Sequence, residues 1–145
     1  MKERSTGTRE DYIKTIYELT ALYGRATTNH IAERLGIKPA SVTSMIQKLA
    51  SENPPLLNYR KHRGVVLTPE SEREALQITR RHRLLEMFLQ QILGYSWDEV
   101  HEEAERLEHV ISDKFEQCIA QVLGNPRYDP HGDPIPDKNG NQPEQ

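Results

Sequence analysis

The stretch Thr28-Asn29-His30-Ile31-Ala32-Glu33-Arg34-Leu35-Gly36-Ile37-Lys38-Pro39-Ala40-Ser41-Val42-Thr43-Ser44-Met45-Ile46-Gln47-Lys48-Leu49 holds two short amphipathic segments joined by a tight turn. Thr28 is a capping residue, Ile31, Ala32 and Leu35 recur at helical spacing, and Gly36 suits a left-handed stop. After the Ile37-Lys38 turn, Pro39 opens a helix whose apolar stripe is Val42, Met45, Ile46 and Leu49, running to about Ser51. Upstream, Thr8-x-x-Asp11 is a start signal. Behind it Tyr12, Ile13, Ile16, Tyr17, Leu19 and Ala21 predict a helix from Arg9 to Tyr23, stopped by Gly24. A helix followed by two more across a short turn that contains Gly makes a helix-turn-helix pattern.

Downstream of Asn53-Pro54-Pro55, the runs Leu56-Leu57-Asn58-Tyr59-Arg60 and Val65-Val66-Leu67 flank Lys61-His62-Arg63-Gly64, which predicts a β-hairpin in the place of a wing. Thr68-Pro69-Glu70 then caps a long helix with Ala75, Ile78, Leu84, Leu85, Phe88, Leu89, Ile92 and Leu93 on its apolar side, up to Gly94. Trp97, Val100, Ala104, Leu107 and Ile111 give a further helix, and Phe115, Ile119 and Val122 continue the spacing after a restart near Ser112. These are read as core or partner-helix positions, and Cys118, at the same spacing, as a small core hydrophobe. From Gly124 onward Pro, Gly and polar residues predict an irregular, largely exposed tail. The fold class expected is mainly α with a small β-hairpin wing. Residues 1–72 are expected as a winged helix-turn-helix domain, 73–124 as an all-helical domain, and 125–145 as the tail.

A chain of 145 residues is too short for a large multidomain enzyme. Apolar residues make up 35% and charged ones 28%, no stretch approaches a bilayer span, and the N-terminus lacks the apolar segment of a signal peptide, so cytoplasm is expected and no membrane partner. With Cys118 as the single cysteine, a Cys-rich zinc site is excluded and any metal must use His and carboxylates. The net charge of −3 hides polarity: residues 25–83 carry eleven basic and five acidic side chains, residues 84–145 four and thirteen. A half that binds a polyanion and a half that binds cations would have this distribution.

On the third helix Lys38, Pro39, Ser41, Thr43, Ser44, Gln47 and Lys48 lie off the apolar stripe, polar groups short enough to approach base edges with cations for phosphates beside them. Arg60, Lys61 and Arg63 at the hairpin tip would meet neighbouring phosphates or enter the minor groove. The alternative is an ordinary solvated polar face.

His101, Glu105, Glu108 and His109 project, at about 100° per residue, from one edge of the helix after Trp97, bordering its apolar stripe. His82 and Glu86 make an i, i+4 pair on the long helix, and Asp11 offers a carboxylate on the first. Oxygen and imidazole donors of this kind suit a divalent first-row metal, and a solvated acidic face is the competing reading. His101-Glu102 is followed by Glu105 where a zinc peptidase has His, and no phosphate loop or Gly-x-Ser-x-Gly elbow occurs, so no enzymatic activity is expected.

The combination resembles the diphtheria-toxin-repressor family of metal-dependent transcriptional regulators, which includes iron-dependent repressors and manganese transport regulators. The resemblance covers about residues 8–136. It is carried by Glu10-Asp11-Tyr12-Ile13-x-x-Ile16-Tyr17, Ile31-Ala32-Glu33-Arg34-Leu35, Ser41-Val42-Thr43, Arg63-Gly64-Val65-Val66-Leu67-Thr68-Pro69, Arg81-His82-Arg83-Leu84-Leu85-Glu86 and Glu105-x-x-Glu108-His109.

The resemblance implies a cytoplasmic, metal-activated homodimer that represses metal-uptake genes by binding double-stranded DNA at a palindromic operator, with no small organic substrate. It implies a primary metal site of Asp11, Glu105, Glu108 and His109, with His82 contributing to it or a neighbouring one, and an ancillary site of His82, Glu86 and His101. Asp11 and Glu105 stand where the iron branch has Met and Cys, a harder donor set that favours Mn2+, with Fe2+ as the alternative. Lys14 stands where the manganese regulators resemble one another in having a carboxylate, so a second ion is expected at His82, Glu86 and His101. Many iron-type members continue beyond the His131-Gly132-Asp133-Pro134-Ile135-Pro136 segment into a domain resembling SH3, and no ligands from such a domain are expected here. The other reading of the residues is a winged-helix regulator that responds to a small organic ligand, without a metal switch.

Overall fold

The structure is a computed structural model that describes residues 5–60 and 64–143. Its elements are α1 (Ser5–Tyr23), α2 (Thr28–Leu35), α3 (Pro39–Ala50), β1 (Leu57–Arg60), β2 (Gly64–Leu67), α4 (Pro69–Gln91), α5 (Trp97–Leu107) and α6 (Asp113–Val122). They fall into two compact units, Met1–Ala75 and Leu76–Gln145.

In the first unit Tyr12, Ile13, Ile16 and Leu19 of α1 meet Ile31 and Ala32 of α2 and Val42, Ile46 and Leu49 of α3 in one apolar core. Ala21, expected on the inner face, is exposed, as are Leu22 and Tyr23, because the last turn of α1 runs past that core. The cap of α2 is Thr27, not Thr28: its backbone is extended and its side-chain oxygen accepts from His30 N at 3.1 Å. Gly36 closes α2 with φ 70, its N–H reaching Ala32 O at 2.9 Å, and Pro39 starts α3 as expected.

The hairpin pairs Leu57 with Leu67, Asn58 with Val66, Tyr59 with Val65 and Arg60 with Gly64. Val65 N also donates to Ala26 O at 2.9 Å, so β2 is tied to the segment between α1 and α2. At Gly64, φ is 72 and an added Cβ would lie 2.2 Å from Ala26 O, so only glycine lets the two backbones approach here. Lys61, His62 and Arg63, the predicted basic turn, lie outside the described residues.

In the second unit Leu84, Leu85, Met87 and Leu89 of α4 pack with Val100 and Ala104 of α5, Ile119 and Ala120 of α6, and Ile135. A capping box of Ser96 and Glu99 starts α5, and Ser112 caps α6. Several expected core positions are open. Ile92, Leu93 and Trp97 are at least half exposed around the turn after α4. The buried side of α6 is Glu116, Ile119 and Ala120, which turns Phe115, Cys118 and Val122 outward; Cys118 is exposed and not a core residue.

The segment after α6 has no helix, as expected, yet it is not a free tail: Ile135 and Pro136 are buried and Ile135 N donates to Arg127 O at 2.8 Å. Arg80 donates to Pro136 O at 3.1 Å and Arg83 to Pro134 O. Arg80 Nε and Arg81 Nε also hold the buried Glu116 carboxylate at 2.6 and 2.8 Å. These three arginines therefore serve the interior of the second unit. By unit, the first carries twelve basic and nine acidic side chains and the second seven and thirteen. Among the described residues no helix is long and apolar enough to cross a membrane.

Candidate metal centre and nucleic-acid interface

The second unit gathers most of the expected metal donors. His82 and Glu86, one turn apart on α4, face His101 of α5, and the three offer donor atoms that all lie within 4.8 Å of one another. Glu86 Oε2 sits 3.0 Å from His82 Nε2 and 3.1 Å from His101 Nδ1, with the two imidazoles edge to face at 4.8 Å. On the other side of His82, Nδ1 lies 2.6 Å from Glu108 Oε1. Glu108 Oε2 is in turn 3.5 Å from His109 Nε2, and both of these side chains are almost fully buried. Glu105, half exposed, is 3.6 Å from His101 Nε2.

The helix ends at Leu107, and Glu108, its C-cap, keeps a helical backbone with its N–H on Ala104 O at 2.9 Å, so His101, Glu105 and Glu108 hold the expected spacing, with His109 in the turn beyond. From that edge Glu108 meets His82 of α4. Asp11, half-buried on α1, belongs to the first unit.

A neutral imidazole has one N–H and one bare nitrogen. His82 presents both nitrogens to carboxylates, so one of the two contacts needs a second proton, on the ring or on a carboxyl, or a metal ion in its place. Burial pushes the Glu86 carboxyl up, but hydrogen bonds and charge from His82 and then His101 outweigh it and hold its pKa at about 2. Glu86 is thus ionised throughout the neutral range and ready to ligate. Two imidazoles and a carboxylate, with a second carboxylate orienting one imidazole, fit a divalent first-row ion.

In the first unit Lys38, Pro39, Ser41, Thr43, Ser44, Gln47 and Lys48 are all exposed, and so is Arg60 at the end of β1. Thr43 uses its hydroxyl proton on Pro39 O at 3.1 Å, leaving the oxygen as an acceptor. Lys61 and Arg63 of the expected set fall outside the described residues. A feature the sequence reading missed is Tyr59: it is 59% exposed and its Oη lies 3.3 Å from Thr28 Oγ1. Strand alternation could have flagged it, since it shares a strand face with buried Leu57.

Comparison with known proteins agrees with both units. The family description "Iron dependent repressor, N-terminal DNA binding domain" matches residues 5–65, and "Iron dependent repressor, metal binding and dimerisation domain" matches residues 68–137. The iron-dependent repressor IdeR of Mycobacterium leprae is 37% identical over 129 residues, which is 89% of this chain and 55% of that protein. The HTH-type transcriptional regulator MntR of Lysinibacillus sphaericus is 41% identical over 125 residues, 83% of this chain and 88% of that one. A solved manganese-dependent transcriptional repressor in complex with manganese superposes with a TM-score of 0.78 at 44% identity, covering 94% of this chain and 62% of that chain. The chain spans about half the length of the iron-dependent repressors it matches. With a helix-turn-helix and hairpin in one unit and a histidine–carboxylate cluster in the other, the chain belongs to the diphtheria-toxin-repressor family of iron- and manganese-dependent transcriptional regulators.

Proposed function

We propose that this chain is a metal-activated DNA-binding regulator, a repressor of metal-uptake genes that acts in the cytoplasm as a homodimer on a palindromic operator. The observation that carries the reading is the imidazole of His82 held between Glu86 and Glu108, an arrangement that a bound cation would satisfy, in a chain whose other unit presents the polar face of α3 to solvent. His82, Glu86 and His101 are one ligand set. Glu105, Glu108, His109 and Asp11 are the other. Mn2+ is the favoured ion and Fe2+ the alternative, because carboxylates dominate the donors.

Bound there, the ion supplies positive charge that offsets a carboxylate-rich cluster. The chain's own residues do the rest. Glu108 fixes the orientation of the His82 ring, and Glu86 is ionised before any ion arrives. Ser41, Thr43, Ser44 and Gln47 of α3 read base edges, while Lys38, Lys48, Arg60, Lys61 and Arg63 contact phosphates, with Pro39 setting the start of the helix. The regulation is linkage: if DNA prefers the loaded chain, DNA must tighten metal binding by the same factor. The relatives compared are transcriptional regulators, and no catalytic step is proposed. Fluorescence anisotropy on a selected duplex, with chelator and with Mn2+ or anaerobic Fe2+, tests this: binding that needs the ion supports it, and equal binding under chelation removes the metal switch.

A further inference from the structure

The exposed side chains of the first unit include one pair that nothing above has given a task. Tyr59 of β1 and Thr28, the first residue of α2, are far apart in sequence, yet their hydroxyl oxygens lie 3.3 Å apart on the surface. Leu57, two residues earlier on the same strand face, is buried, whereas the Tyr59 ring is 59% exposed, so the ring has run past the edge of the core. A phenol at this position gains little from packing. Its hydroxyl is instead fixed against the helix-turn-helix.

Proton counting shows what the pair offers. Two hydroxyls carry two protons, and one hydrogen bond between them uses one. Neither hydroxyl has another protein partner among the described residues, so one O–H is left to donate outward whichever of the two is the internal donor. The pair stands on a unit with twelve basic and nine acidic side chains. A hydroxyl that donates outward to an anionic oxygen is the means by which Tyr and Thr contact a nucleic-acid backbone.

We propose that Tyr59 and Thr28 form one phosphate contact with double-stranded DNA, a neutral donor that joins the hairpin and α2 to a single backbone position. This rests on the DNA-binding reading above and adds to it residues that set register without reading sequence. Since no cation is involved, the contact adds affinity equally on any duplex and leaves the salt dependence unchanged.

The test uses the full chain with saturating Mn2+, one selected duplex and one unrelated duplex of equal length, and anisotropy across a salt series. Tyr59→Phe is expected to weaken both duplexes by about five- to tenfold with the same slope of log K against log salt. Thr28→Val, which removes the partner hydroxyl, is expected to do the same and to add little on top of Tyr59→Phe. Ethylation of one phosphate per half-site should impair the wild type and not Tyr59→Phe, a readout that a purely structural role would leave unchanged. Wild-type affinity for Tyr59→Phe, while Lys48→Ala binds more weakly, overturns the contact and leaves the DNA-binding reading standing. A loss confined to the selected duplex also overturns it, because the phenol would then be reading a base. If the wild type binds neither duplex with any ion, the DNA-binding reading falls and this contact with it. Should Tyr59→Phe unfold, Thr28→Val carries the same comparison.

Discussion

The Nδ1 atom of His82 lies 2.6 Å from Glu108 Oε1, and both side chains are nearly closed to solvent. Glu108 sits in the turn that ends α5, so a carboxylate from one element sets the ring of a donor on another. The opposite nitrogen, Nε2, faces Glu86 at 3.0 Å. An imidazole oriented by one carboxylate and paired with a second is a ligand prepared for a cation before the cation arrives.

Removing that ring should remove a metal-dependent part of the stability. Mn2+ at about a hundred times its dissociation constant should stabilise the wild type by about 2.7 kcal/mol. Chelation should reverse this. His82→Ala should bind Mn2+ at least about tenfold more weakly and lose about half of the increment or more. Calorimetric titration and thermal unfolding with and without chelator check both.

Acid should act through Glu86 in a defined direction. Its carboxyl is depressed in the folded chain from the ordinary value of 4.5 to about 2, so its contribution to stability is complete above about pH 4.5 and is lost as pH falls toward 2. Unfolding of the metal-free chain followed across that window should show a shallower acid loss for Glu86→Gln than for the wild type. Equal slopes would separate Glu86 from the acid transition.

The wing depends on a close backbone approach. Gly64→Ala places a methyl 2.2 Å from Ala26 O, and the Val65–Ala26 hydrogen bond cannot survive it unchanged. A loss of about 2–4 kcal/mol is expected from the left-handed φ and the clash together. Thermal unfolding checks the loss, and a metal titration of the folded fraction should show unaltered stoichiometry.

Glu116 joins α6 to α4 through two arginines. Glu116→Ala takes the buried carboxylate from Arg80 and Arg81 and leaves Arg81 only the exposed Asp113. A cost of about 3–5 kcal/mol is expected, read by denaturant unfolding. Asp113→Ala, which removes only an exposed partner of Arg81, should cost under about 1 kcal/mol.

The DNA face should separate charge from reading. Lys48→Ala should weaken all duplexes and lower the salt slope by about one, whereas Ser44→Ala should weaken the selected duplex more than an unrelated one. Neither should change the number of ions bound. Anisotropy at several salt concentrations, together with a metal titration, distinguishes the two.

The helix-turn-helix was legible because Ile31, Ala32, Val42, Ile46 and Leu49 keep a strict helical spacing and Gly36 and Pro39 mark its turn. The choice between Thr27 and Thr28 as cap was not, since both side chains can accept the same bond and backbone geometry decides. His82 and Glu86 were paired by i, i+4 spacing, and their grouping with His101 was implied by the family resemblance. The contact of Glu108 with His82 was hidden, because it depends on how α5 packs against α4 and not on spacing along either helix. Cys118 was misplaced for a related reason: α6 buries Glu116, whose arginine partners lie on α4, and that rotates the cysteine outward. Arg80, Arg81 and Arg83 counted toward the basic half of the chain, yet their partners are Glu116 of α6 and the carbonyls of Pro134 and Pro136 in the segment expected as an exposed tail.

The most direct measurement is selection of a duplex from a random pool at fixed salt, with the chain chelated and with Mn2+, anaerobic Fe2+ or Zn2+ added. Metal-activated regulation predicts that a palindrome is enriched only when an ion is present, and that His82→Ala shifts the required concentration upward. Enrichment of the same sequence under chelation would contradict the metal switch, and enrichment of nothing under any condition would contradict DNA recognition itself.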